Sequence, residues 1–513
     1  MHIEPPVFSI LAIGQFSPAL EAETPPVLQV DSFSLDDAVA QLSPTLDIPA
    51  DKTICPSGVI TVSIHKMADF KPKNLPQIST FAKELEDAKD YLKKGGSPEN
   101  MDSLFPMAAG LITIPAKSAP LKHEQKSSAI DDILSMVDTS SAQTGSQPSP
   151  QGIEEQINSI LSKIQQTVFT DKSFRIMESA WRGAQLLAGQ VTSGCKTSVK
   201  LTLVPFSKNN FIPVFDQLES KLAETPPDII LIDKEISSSP RAMTELERVM
   251  DFAETMLAPA VISMSPSFFG IQSWDKLKKV RYIPALLESA EYGRWKTLVE
   301  RSGAGWVMAC IGSIMARPMY KPESGFSKTN FTEENPLWIS APWTIGALCS
   351  RSVAEYGQPT RFCDRGSIRL EQLPLTDGPS PSPLEIMLNT ERLSDFKQAG
   401  IIALAGTAGR DHAFVAGAVT IDGGPLKFKM FLSQLTGFLI RLSVNQREEI
   451  QNIVPDLTKA ISLFIQSIGF PAPQDLQITT HNGNDGATSL EITFTPDREI
   501  LSTNTPITFG FNW

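Results

Sequence analysis

The sequence predicts a mixed α/β (α+β) fold of more than one domain, and two observations carry that prediction. Short apolar strands alternate with amphipathic helices between residues 153 and 264, and the last forty residues change to short alternating strands. In order, the chain opens β-α-β-α. Val7 to Ile13 is an apolar strand, Asp36 to Leu42 a short helix and Val59 to Ile64 an alternating strand. Ile78, Phe81, Leu85, Ala88 and Leu92 then fall at helical spacing, and Gly95-Gly96 stops that helix. Residues 110–115, GLITIP, read as one short strand, and residues 140–152 as a Ser/Gln/Gly/Pro linker. Between them Ser128 and Asp131 fit a capping box. Ile130, Ile133, Leu134 and Val137, with Met136 beside them, give a one-faced helix of about ten residues, too short to persist in water unless it docks.

The next helix is marked by Ile153, Ile157, Ile160, Leu161, Ile164 and Val168. Residues 171–190, DKSFRIMESAWRGAQLLAGQ, follow it. Phe174, Met177, Trp181, Ala184 and Ala188 lie at i, i+3, i+7, i+10 and i+14, and Gly183 closes a Trp-Arg-Gly signature. Glu178 precedes Arg182 by four, the favourable order for an ion pair, and Arg175 and Gln185 extend that polar stripe beside the apolar one. Val199 to Val204, Asp228 to Ile232 and Pro259 to Met264 read as strands, with a helix from Thr244 to Met256. This alternation predicts a partly parallel sheet. Two later helices run through Phe431, Leu435, Phe438, Leu439 and Leu442, and through Ile453, Leu457, Ile461, Phe464 and Ile468, with Pro455 at the first turn of the second. Leu476 to Thr480, Leu490 to Thr495 and Ile507 to Phe511 are strands divided by a HNGNDGAT turn and by Pro496 and Pro506. Apolar Phe509 and Phe511 on an open edge would invite uncontrolled pairing, so this last strand closes its own sheet or joins a neighbour's.

Composition narrows the function classes. The net charge of −12, from 57 acids against 45 bases, disfavours nucleic-acid binding by counterion release and attraction to anionic lipid. Five cysteines without a C-x-x-C pair fit free thiols in a reducing compartment. No run approaches the ~18 apolar residues of a membrane span, and MHIEPPVFSI lacks the features of a signal peptide, so a cytoplasmic protein is expected.

Little points to catalysis. The histidines at 2, 65, 123, 412 and 481 have no second ligand at i+3 or i+4, and neither a G-x-S-x-G elbow nor a phosphate loop is present. Gly303-Ala-Gly305 and residues 405–411 read as turns, and Arg410-Asp411-His412 as a solvated hairpin tip. The acid pairs Asp131-Asp132 and Glu154-Glu155 diverge on a helix and suit its N-terminal dipole better than a metal. Neither an enzyme nor a cofactor is expected. An α/β enzyme with an unrecognised pocket is the more distant alternative.

Residues 171–190 resemble the helix that opens the core of the large (TssC) sheath subunit of the type VI secretion system. SFFGIQSWDKL (267–277) resembles that family's Phe-Gly-hydrophobe turn. Residues 338–374 resemble its long helix, Tyr-Gly exit and Gly-containing strand, and residues 394–420 its helix-Gly-strand hairpin. In the first hundred residues, VFSILAIGQFSPAL, VDSFSLDDAVAQLSPTLDI, a strand ending in MADFKP and LPQISTFAKELEDAKDYLKK follow the order of parts in the small (TssB) subunit. The resemblance implies both subunits in one chain, with a tail-sheath-like multidomain fold and strand exchange between subunits. It divides the chain into a small-subunit-like region (1–106), a linker with the short helix (107–152), a large-subunit-like core (153–375) and a C-terminal region (376–513). Phe174, Glu178, Trp181, Arg182 and Gly183 become the family core motif, and Ile492, Phe494, Ile507, Phe509 and Phe511 the intersubunit strand. Ile130, Ile133, Leu134, Met136 and Val137 become the handle for a ClpV-type disassembly ATPase. The implied function is a contractile sheath protomer that polymerises around an inner tube of Hcp type on a baseplate, or else a non-contractile scaffold relative.

Overall fold

A computed structural model describes residues 7–18, 20, 25–112, 150–190, 198–207, 209–322, 329–445, 453–482 and 488–512. The N-terminal part supplies β1 (Val7–Gly14), β2 (Leu28–Val30), α1 (Leu35–Leu42), the hairpin β3 (Thr45–Pro49) and β4 (Val59–Ser63), and α2 (Thr80–Lys93). Then come α3 (Pro150–Thr170), α4 (Lys172–Ala188), β5 (Ser198–Pro205), α5 (Phe211–Leu222), β6 (Ile229–Ile236), α6 (Pro240–Met256) and β7 (Ala260–Met264). β8 (Val307–Ile311), β9 (Ser313–Arg317), β10 (Leu337–Ser340), α7 (Ala341–Tyr356), α8 (Thr390–Gln398), β11 (Ile401–Ala405) and β12 (Phe414–Val415) complete the core. The chain continues through α9 (Leu426–Asn445), α10 (Ile453–Ser467), β13 (Gln477–Asn482), β14 (Thr488–Phe494) and β15 (Ile507–Asn512).

Eight strands form the central sheet in the order β12-β11-β8-β7-β6-β1-β5-β2. The six inner strands are parallel; β2 and β12 pair antiparallel at the two edges. Inner strands buried on both faces read as continuous apolar runs, and β1 is such a run. Its Phe8, Ile10 and Ala12 join one apolar cluster with α4 and α7, while Leu11 and Ile13 join another with α5 and α6. A third cluster stands apart, built from α9, α10 and the antiparallel sheet β13-β14-β15.

Because β1 pairs with β5 over eight residues and with β6 over four, the expected boundaries at 106 and 152 do not separate units in space. The boundary after 375 also falls inside the central sheet, to which β11 and β12 belong; the separate apolar cluster begins only in α9, at Phe431. Three local expectations fail. Residues 110–112 are turn and bend rather than strand, because Gly110 takes a φ of +78°. Met67–Phe70 is a 3-10 turn after β4 has ended at Ser63. The Gly-containing strand expected at the end of residues 338–374 is turns and irregular chain with one isolated bridge, Leu370 to Ala413.

Candidate assembly surface and the charge network behind it

Asp171 caps α4 by accepting the Phe174 N–H at 2.9 Å, and all five apolar positions of the helix are buried. Trp181 lies against β1's exit: its Nε1 donates to the Phe16 carbonyl at 2.9 Å, and the two rings are 5.0 Å apart. Gly183 is required by the neighbouring helix. A Cβ there would lie 2.5 Å from the Trp343 ring of α7, so the close crossing of α4 and α7 has no room for a side chain.

Along the polar stripe of α4, Glu178 is buried, Arg175 and Arg182 are half-buried and Gln185 is exposed. Glu178 is fully buried and holds Arg182 Nε at 2.7 Å. Arg317, from the end of β9, grips Glu178 through Nε at 2.8 Å and NH2 at 3.0 Å. Its other side grips Glu333 through NH1 at 2.6 Å and NH2 at 2.8 Å. Arg175 closes the chain on Glu333 at 2.7 Å and caps the Asn335 and Pro336 carbonyls. Glu333 also accepts the Tyr320 N–H at 2.8 Å, and the Tyr320 hydroxyl donates to the Phe70 carbonyl at 2.9 Å, tying the network to the N-terminal region. Burial alone would raise the Glu178 pKa, but Arg317 and Arg182 outweigh it and hold the carboxyl below its ordinary value. For Arg317, burial opposes the charge and Glu178 and Glu333 overcome it, raising its pKa. Sequence spacing could find Glu178 and Arg182. Arg317 and Glu333 were missed, being 139 or more residues away from the helix groups they bind.

The second candidate is the C-terminal sheet. β14 is its middle strand, with β13 on one edge and β15 on the other. Ile492 and Phe494, read as part of an intersubunit strand, lie on β14 with both edges filled by this chain; they are buried against α9 and α10. Ile507, Phe509 and Phe511 lie on β15, half-buried on one face, with Phe509 and Phe494 rings 6.4 Å apart. Among the described residues, the outer edges of β13 and β15 pair with nothing. The helix read over Ile130, Ile133, Leu134, Met136 and Val137 lies outside the described residues.

Arg410 and Asp411 are exposed beside a turn at Gly409, and His412 meets Thr407 Oγ1 at 3.2 Å and stacks on the Phe414 ring. Residues 303–305 form a buried 3-10 turn. Among the described residues, no group of three or more His, Cys, Asp or Glu is placed to hold a metal ion, and no helix is long and apolar enough to cross a membrane.

Residues 220–422, which contain β6 to β12, match the VipB family, described as EvpB/VC_A0108, tail sheath N-terminal domain. Residues 220–422 are thus similar to a tail-sheath domain. The type VI secretion system sheath protein TssC1 of Pseudomonas aeruginosa PAO1 is 22% identical over 283 residues, which are 48% of this chain and 56% of that protein. The chain thus spans about half the length of that relative. Two cryo-EM structures of the anti-feeding prophage, its six-fold baseplate and its helical sheath in the contracted state, superpose with TM-scores of 0.37 and 0.31, each at 11% identity. They cover 65% and 64% of this chain and 76% of each of those chains. The tail-sheath match ends at Asp422, just before α9, so the separate C-terminal unit lies beyond it.

Proposed function

We propose that this chain is the structural protomer of a contractile sheath, and the observation that carries the reading is the match of residues 220–422 to the tail-sheath family. The protomer polymerises around an inner tube of Hcp type, is anchored on a baseplate, and shortens by moving every subunit to a lower-energy set of contacts. It works in the cytoplasm. Residues 1–106 act as the small subunit fused to the large one, a reading supported by β1 lying inside the central sheet rather than beside it. The place of β15 at the edge of its sheet among the described residues supports intersubunit pairing, since an edge strand is a template for a strand from the next protomer. The run Ile130 to Val137 serves as the handle for a ClpV-type ATPase.

Electron microscopy of the purified chain tests the reading. Tubes with a helical surface are expected at micromolar protein, and a species that stays monomeric at every concentration rejects it.

A further inference from the structure

An open cleft of about 1510 Å³ lies at the carboxyl end of the central sheet. Its walls begin where three parallel strands stop: Gln15 follows β1, Ser207 lies just beyond β5 and Ser237 follows β6. β1 is flanked by β5 on one side and by β6, β7 and β8 on the other, so the strand order reverses direction at this point. Open parallel sheets take their ligands in the crevice at such a reversal.

Three acids of the cleft wall form no ion pair among the described residues. Asp233 and Glu235 come from β6, and Glu385 from the segment whose backbone bonds Ser313. Among the wall cations, Arg175 is held by Glu333, and Lys234 and Arg241 by Glu245; Lys172 is the cation that acts on Glu235. Glu235 is exposed on the cleft wall. Partial desolvation by the surrounding walls, with Glu385 and Asp233 nearby, pushes its carboxyl up to about 7. Burial also raises Glu385 and Asp233, each partly relieved by a serine hydroxyl, Ser313 and Ser340.

The volume exceeds the roughly 300–1,000 Å³ of small-molecule pockets, which favours a chain segment. Residues 276–281, KLKKVR, stand out in a chain of net charge −12. Lys276 pairs with Asp275, whereas Lys278, Lys279 and Arg281 are exposed and pair with no acid among the described residues. Arg392 holds this run in place by donating to the Val280 and Arg281 carbonyls at 2.8 and 2.9 Å.

We propose that the cleft is a docking groove for the basic run 276–281 of a second copy of this chain, its lysine and arginine heads seated on Asp233, Glu235 and Glu385. This contact deepens the polymer reading and rests on it.

The test uses the full chain and a labelled peptide of its residues 274–283, WDKLKKVRYI, against the same peptide carrying Lys278→Glu and Lys279→Glu. The native peptide should bind saturably and the reversed one should not. Glu235→Gln with Glu385→Gln should weaken binding at least about tenfold, since a desolvated charge pair loses its partner. Glutamine preserves shape and the bond to Ser313. In the unaltered chain, lowering the pH from about 8 to about 6 should also weaken binding, because Glu235 takes up a proton. The groups facing Glu235 across the cleft, Asp233, Glu385 and Lys172, set that response together. No binding, equal binding by the reversed peptide, or binding indifferent to both the glutamine variant and pH overturns the groove. Sedimentation separates this from the polymer reading. Tubes that form equally in wild type and variant, without peptide binding, reject the groove alone; charge-dependent peptide binding by a chain that never polymerises supports the groove and rejects the polymer.

Discussion

Arg317 has its guanidinium clamped between two buried carboxylates and stacked 3.7 Å from the centre of the Tyr320 ring. Removing it leaves Glu178 and Glu333 with too little counter-charge in the core, whereas an exposed pair would cost little. Arg317→Ala should therefore destabilise the chain by about 3–5 kcal/mol in urea melts, and a loss below about 1 kcal/mol would contradict the buried network. Since the Glu178 pKa is lowered in the fold, its contribution is present above the unfolded value of about 4.3 and is lost as pH falls through the folded one. Asp228 has the opposite sign. It accepts the Ser9 N–H at 2.6 Å, but burial, opposed by that bond and by Arg441, raises its pKa from 3.8 to about 6. The folded state then holds a proton that the unfolded chain has released, so this group's contribution falls as pH rises from about 4 through about 6. The gap corresponds to roughly 3 kcal/mol, and Asp228→Asn should flatten the pH dependence of urea melts across that window. An unchanged slope would place the titration elsewhere.

Among the elements, β15 offers the sharpest experiment. It pairs with β14 over six residues and covers Phe494, yet its cluster with α9 and α10 is separate from the two clusters on the central sheet. Deleting residues 501–513 should abolish polymer growth and strip hydrogen-exchange protection from α9, α10 and β14, while β1, β6 and β7 stay protected. Protection lost throughout would mean one cooperative unit. The same contrast explains what was legible beforehand. α4 could be read because its apolar residues repeat at helical spacing, and Phe174, Met177 and Trp181 are all fully buried. β8, VMACI, was passed over because Met, Ala and Cys carry a weak strand signal. β2 has only three residues, and β3 is interrupted by Asp47 and ends on Pro49. Residues 110–112 erred the other way, since their β-like composition yields to the left-handed turn at Gly110. The assembly surface was half visible: alternation located β13, β14 and β15, but which of them is central depends on pairing, which local pattern does not encode. The cleft acids come together only through the sheet order.

For the whole molecule, the defining feature is an N-terminal strand with neighbours on both sides drawn from residues 198–236. If a protease site is placed within 113–149 and cut, residues 1–112 should co-elute with the remainder in native buffer and separate only in denaturant. Spontaneous release of the fragment would show that β1 is replaceable. The same placement governs how the protein is made. At a translation rate of about 5–20 residues per second, β1 leaves the ribosome roughly 10–40 seconds before β5 exists to pair with it. For that interval a strand destined for burial on both faces has neither neighbour, so the central sheet forms late and through distant contacts. Nascent chains of this protein are therefore natural clients for a ribosome-associated chaperone.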